Sequence, residues 1–177
     1  MKAEQIQQAI FGLHTRRFGA VAEIMIKKMV MLERSSTLAY DLFDDKEGTR
    51  IECKFSRAQK KAEVKITEST LFKALECEAN RDIMYHEWKD FPWDCNIQQI
   101  KKAEFDILYY GVFFKDAILV FKVYSEQIDK EMRYSDKQHR GNTGEGQFHL
   151  NRQTLRHHLN YHLYKTISYG ELIQWLK

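Results

Sequence analysis

An acid and a lysine separated by one residue, Glu52 and Lys54 in "TRIECKFSRA" (49–58), emerge on the same face if the segment is a strand, because side chains alternate along an extended chain. The turn chemistry of "DKEG" makes residues 38–56 read as a hairpin, with "LAYDLFD" returning as "TRIECKFS". If 45–48 is the loop, Asp44 faces Thr49, and the same register sets Asp41 opposite Glu52; a slip of one residue would move Asp41 to the other face. Two neighbouring carboxylates repel unless a hard divalent cation lies between them, and oxygen ligands of this kind suit Mg2+ or Mn2+. Such an ion polarises a phosphoryl oxygen and lowers the pKa of bound water. Lys54 can then orient the attacking water or neutralise charge on the phosphorus. The Glu-x-Lys triplet also occurs at Glu63/Lys65 and Glu87/Lys89. Only the first sits in a strand-like run with a separate aspartate brought by a tight hairpin; Glu63/Lys65 in "AEVKI" is its rival, and Glu87/Lys89 lies in a loop-like stretch beside Trp88.

Asp41, followed after ten residues by "ECK", on a hairpin preceded by a helix-like segment with an embedded Glu23, resembles the PD-(D/E)xK nuclease superfamily. Tyr40 stands where that motif has proline, and Cys53 where a branched aliphatic residue is commoner. The small size, the "IECKFSRA" strand end, the "NIQQIK" stretch before a tyrosine-rich strand and a basic glycine loop are similar to type II restriction endonucleases. The resemblance implies that Asp41 and Glu52 bind the metal, Lys54 assists the water, the Cys53 main-chain carbonyl is a further ligand and Glu23 a possible supporting one. It implies Mg2+, with Mn2+ able to substitute. The fold expected is α/β (α+β): one restriction endonuclease-like domain over 1–177 with a central mixed β-sheet flanked by helices, a catalytic core at about 18–125 and a DNA-contacting part at about 126–177. The partner expected is double-stranded DNA, cut at a specific sequence by a homodimer or beside a second nuclease subunit, since two strands need two active sites. The alternatives are a structure-specific repair or junction-resolving nuclease, which reads DNA shape, and a non-catalytic DNA-binding subunit in which the triplet is a structural ion pair.

The elements that must position these groups follow from periodicity. Phe18, Val21, Ala22, Met25, Met29 and Leu32 fall at helical spacing over 18–32, with Glu23 either at the edge of that stripe or functional. Thr67 could cap a helix over 68–79. Residues 80–104 read as loop with a short helix. "FDILYYGVFF" and "AILVFKVY" read as two paired, central strands. The glycine-rich 133–151 reads as an exposed loop. From Arg152 the chain reads as helical, with Leu155, Leu159, Leu163, Leu172 and Trp175 facing the core.

For DNA, Lys54, Arg57, Lys60, Lys61 and Lys65 form a basic stripe suited to phosphates, or else a solvated charged loop. "RYSDKQHRGNTGEGQ" offers Arg133, Lys137, Gln138, His139, Arg140, Asn142 and Gln147, side chains suited to base edges, although a flexible hinge explains the glycines equally well. Gln98 and Gln99 are a second readout candidate, or they merely cap or line a short helix. His157, His158 and His162 lack a zinc pattern, and DNA-backbone contact or surface packing is the expectation for them.

Composition is compatible with all of this. The 177 residues suit one domain, 44% hydrophobic and 30% charged content argue against disorder, and a net charge of +3 does not by itself imply a polyanionic partner. Three widely spaced cysteines, Cys53, Cys77 and Cys95, indicate neither a disulfide framework nor a thiolate zinc site, so a reducing cytoplasm is the default. No secretory leader or membrane span is expected. Neither a GxSxG nor a Walker-type loop is present, which leaves serine hydrolysis and nucleotide hydrolysis unindicated.

Overall fold

Two helices open the chain, and the second carries the expected apolar stripe. A computed structural model describes residues 2–37, 39–61, 64–137 and 143–177. Helix α1 (Ala3–Phe11) is followed by α2 (Thr15–Val30), which buries Phe18, Ala22, Met25 and Ile26 and stops at Met31, whose φ of 59° is left-handed. Leu32 therefore lies beyond the helix. The chain continues through β1 (Glu33–Arg34), β2 (Leu42–Asp44), β3 (Thr49–Arg57), α3 (Leu71–Ala79), β4 (Asp94–Ile100), β5 (Ile107–Phe113), β6 (Ile118–Tyr124), β7 (Ser135–Lys137), β8 (Thr143–Asn151), α4 (Leu155–Tyr161), β9 (Leu163–Ile167) and α5 (Tyr169–Leu176).

The strands form a six-stranded sheet, β1-β2-β3-β5-β6-β9, and a three-stranded sheet, β4-β8-β7. Strands β3 and β5 pair in parallel and the other pairs are antiparallel, so the large sheet is mixed as expected. Every residue of β5 is buried, the signature of a central strand covered on both faces. Alternation divides the core in two. Ile51, Cys53, Ile107, Tyr109, Phe113 and Val120 meet the helices α1, α2 and α5; Leu108, Tyr110, Val112, Leu119 and Phe121 meet the small sheet and α4. Glu52 and Lys54, out of phase with Ile51 and Cys53, point to the small-sheet side.

Several expectations are corrected. "DCNIQQI" is strand β4 rather than a short helix, because Cys95 and Ile97 alternate inward against outward Asp94, Asn96 and Gln98. The stretch 133–151 is largely hairpin: "GQFHLN" alternates Phe148 and Leu150 inward. Gly146 serves close approach, since a Cβ there would stand 2.0 Å from the Tyr134 hydroxyl. The C-terminal segment is α4-β9-α5 rather than one helical run, and Leu163, on the edge strand β9, is exposed while Leu155 and Leu172 are buried. Thr70, not Thr67, precedes α3. That helix has only Ala74 buried, whereas Ile66, Leu71, Phe72 and Leu75 are exposed, Phe72 to 86%. Among the described residues no helix is long and apolar enough to cross a membrane.

His158 is fully buried, so surface packing and DNA contact are both overturned for it. Its Nδ1 lies 2.8 Å from the Tyr110 hydroxyl and its ring stacks on Phe148. Burial, with His162 and His157 adding to it, lowers its pKa to about 3. The folded protein thus refuses a proton that the unfolded chain accepts near pH 6.5, and stability is lost as pH falls from about 6.5 toward 3, by up to about 1.4 kcal/mol per pH unit. His158→Phe should flatten this acid limb in urea unfolding followed from pH 7 to 4. An unchanged limb would show that other groups set it.

Candidate active site

The hairpin has the expected register. Asp44 pairs with Thr49, and Asp41, just before β2, donates its N–H to the Ile51 carbonyl at 3.0 Å. Its carboxylate turns back: Oδ2 accepts from the Cys53 N–H at 2.8 Å. Main-chain groups of one strand residue point to one edge, so the Cys53 carbonyl shares the edge on which its N–H meets Asp41. Arg50 fixes the other edge of β3 against the start of β5, donating from N, Nε and NH2 to Asp106 at 2.8, 3.1 and 2.7 Å.

On the face toward the small sheet, Lys54 Nζ donates to Glu52 Oε1. The two side chains are 25% and 12% exposed, so this is not a surface pair. They line a polar pocket of about 220 Å3 together with Gln99, Lys101, Glu104 and Glu145. Burial pushes the Glu52 pKa up to about 7; Lys54 opposes this, and the nearby Asp41 adds to it. For Lys54, burial works against the charge, but the Glu52 carboxylate outweighs it and the pKa is raised. Glu23, on α2, has its pKa raised by burial and by Asp41, and forms an ion pair with Arg34 at 3.6 Å.

Three carboxylates, Glu23, Asp41 and Glu52, therefore act on the surroundings of Cys53, with Lys54 held against Glu52. Among the described residues no three His, Cys, Asp or Glu side chains already form a group able to hold an ion. The donor chemistry nevertheless suits one: the Asp41 and Glu52 carboxylates and the Cys53 carbonyl are hard oxygens, and the Asp41 charge disfavours that of Glu52.

The predicted DNA contacts fall in different places. Arg57 turns inward, donating to the carbonyls of Phe11 and Leu13 and lying 4.8 Å from the Phe18 ring centroid, so its guanidinium ties β3 to the α1–α2 connection. Lys60 lies over the Phe91 ring at 3.9 Å, while Lys61 is exposed. Gln98 points outward from β4; Gln99, at a bulge with φ of 59°, turns into the pocket beside Glu52 and Lys54. Lys137 is exposed on β7. Gln138, His139, Arg140, Asn142 and Glu63 lie outside the described residues. Sequence reasoning missed Lys101, Glu104 and Glu145, where Lys101 stands 3.4 Å from Glu104 and 3.9 Å from Glu145. No spacing signal links residue 145 to residue 52.

Compared with protein-family models, curated proteins and solved structures, the chain matches none of them.

Proposed function

We propose that the protein is a metal-dependent endonuclease of the PD-(D/E)xK kind that cuts double-stranded DNA in the manner of a type II restriction enzyme. The observation that carries this reading is the Glu52–Lys54 pair, buried at a polar pocket, with Asp41 fastened to the residue between them. Burying two charges costs desolvation that an exposed pair avoids, and perturbed groups gathered in a cleft are characteristic of reacting sites.

Asp41, Glu52 and the Cys53 carbonyl would hold Mg2+ or Mn2+, with Glu23 behind Asp41. Bound there, the ion would polarise a phosphoryl oxygen and acidify water. Lys54, kept protonated by its surroundings, then leaves Glu52 and donates a hydrogen bond to the attacking water or to a non-bridging phosphate oxygen. Lys101 supplies a second positive charge on the pocket wall.

Metal and proton compete for Glu52. Without metal, the folded chain keeps between about pH 4.5 and 7 a proton that the unfolded chain has released, so stability falls as pH rises through that window. Mg2+ affinity should accordingly be about tenfold weaker at pH 6 than at pH 8 by isothermal titration calorimetry, with proton release at the lower pH. Affinity independent of pH would remove Glu52 from the ligand set.

The activity is tested by incubating unmethylated plasmid and phage DNA with the protein and Mg2+, beside an EDTA control. Discrete fragments that EDTA abolishes are expected; cleavage of branched DNA alone would favour a structure-specific nuclease. Cutting both strands needs two sites, and α3 offers a surface to a second copy. A nine-residue helix with one buried residue is marginal unless something packs on it. Phe72→Glu should convert a sedimenting dimer to monomer, whereas a wild-type monomer on cleaved DNA would contradict this arrangement.

A further inference from the structure

Two of the residues lining the pocket, Gln99 and Glu145, belong to the small sheet. Glu145 stands in the outward row of β8, which continues through Gln147, His149 and Asn151, while the outward row of β4 beside it carries Gln98, Asn96 and Asp94. The inward rows, Cys95, Ile97, Phe148 and Leu150, are buried in the core. Beyond Glu145, the outward side chains of these two strands are amides, one imidazole and one carboxylate, without an aliphatic or a lysine among them. A solvated sheet face needs no such restriction.

These side chains hold one another in fixed orientations. Asn96 donates to Gln147 at 2.9 Å, His149 Nδ1 lies 2.8 Å from Asp94, and Asn151 donates to Asp94 at 3.2 Å. The Asn96 Oδ1 is buried and without a partner, so the role of Asn96 is to hold Gln147. Gln147 accepts from Asn96 and donates to the Lys137 carbonyl at 3.5 Å, which fixes the plane of its amide, and an amide held in one plane suits the adjacent donor and acceptor of adenine. From Gln147 to Asn151 the row runs about 13 Å, which spans roughly four base-pair steps.

We infer that the outward face of β4 and β8, centred on Gln98 and Gln147 with Asn96 holding Gln147 in place, is the surface that reads base edges of duplex DNA whose scissile phosphate lies at Lys54. This rests on the nuclease reading for its substrate. It places readout on a two-stranded ribbon rather than on a flexible loop, and the bulge at Gln99 is the joint between reading and cutting.

The test is selection of bound sequences from a randomised duplex pool, with Mg2+ present and Lys54→Ala introduced to stop cutting. That protein is expected to enrich one sequence. Adding Asn96→Ala with Gln147→Ala should lower the preference for it over random duplex by about tenfold or more, with affinity for random duplex kept within about twofold. Gln98→Ala alone, at an exposed position, gives the same reading should the double variant melt early in circular dichroism. Enrichment of the same sequence with unchanged preference in these variants, or no enrichment at all, overturns the assignment. Failure of the wild-type protein to cut the enriched duplex would sink the nuclease reading instead and leave the base-reading face standing.

Discussion

Lys54→Ala is expected to reduce Mg2+-dependent cleavage by about a thousandfold while the protein stays folded, within the range over which a group acting on the water or on phosphate charge contributes. Its counter-charge gone, Glu52 has an outlet: its pKa, already raised to about 7, climbs further and the carboxyl takes a proton. Glu52→Gln should abolish cleavage to a similar degree, through loss of a ligand, and should weaken metal binding at every pH, whereas Lys54→Ala should weaken it only where a proton on Glu52 competes, a loss that disappears at high pH. The two variants thus separate chemistry from metal affinity. If the pair were only structural, cleavage by Lys54→Ala would stay within tenfold of wild type and the variants would differ from it chiefly in melting temperature. The apolar double replacement, Glu52→Leu with Lys54→Met, is expected to be no less stable than the wild type, because replacing a whole buried pair by hydrophobic residues often costs little.

Gly111→Ala should destabilise the fold by about 3 kcal/mol or more, seen as a lowered urea midpoint. Gly111 lies in the middle of β5 between β3 and β6, and a Cβ there would sit 2.0 Å from the Leu119 carbonyl oxygen and 2.5 Å from Phe55 Cε1. One obstacle is backbone in a paired strand, so it cannot swing aside. That backbone belongs to β6, while the second obstacle, the Phe55 side chain, belongs to β3 next to Lys54, so the strain reaches the site through Phe55. Gly19 supplies the contrast: nothing lies within 4 Å of its Cβ direction on α2, and Gly19→Ala should be neutral or stabilising by up to about 1 kcal/mol. A loss below about 1 kcal/mol for Gly111→Ala would mean that the strands there can part.

Asp41, Glu52 and Lys54 were legible in the sequence because a short turn dictates register: once 45–48 turns, Asp44 meets Thr49 and the positions of Asp41 and Glu52 follow. Strands β5 and β6 were legible because continuous apolar runs between turn residues have few other uses. The small sheet was hidden. Its outward positions are Asn, Gln, His and Asp, its hairpin contains glycines, and both features are also those of a loop. Leucines at 155, 159 and 163 imitate a helix through a segment where Leu163 belongs to edge strand β9. Glu145 reaches the pocket by the long-range pairing of β8 with β4, and Lys101 and Glu104 by the connection from β4 to β5, neither of which a local pattern announces. The inward turn of Arg57 is likewise a tertiary fact, set by the Phe11 and Leu13 carbonyls that lie far from it in sequence.

The most direct measurement is anomalous diffraction from crystals of the protein soaked in Mn2+. The account predicts a peak bound by the Asp41 and Glu52 carboxylates beside the Cys53 carbonyl, at about 2.0–2.2 Å from its oxygen ligands, with Lys54 moved off Glu52. No peak there at saturating Mn2+, with Lys54 still on Glu52, would contradict it and leave the pair as a buried structural contact.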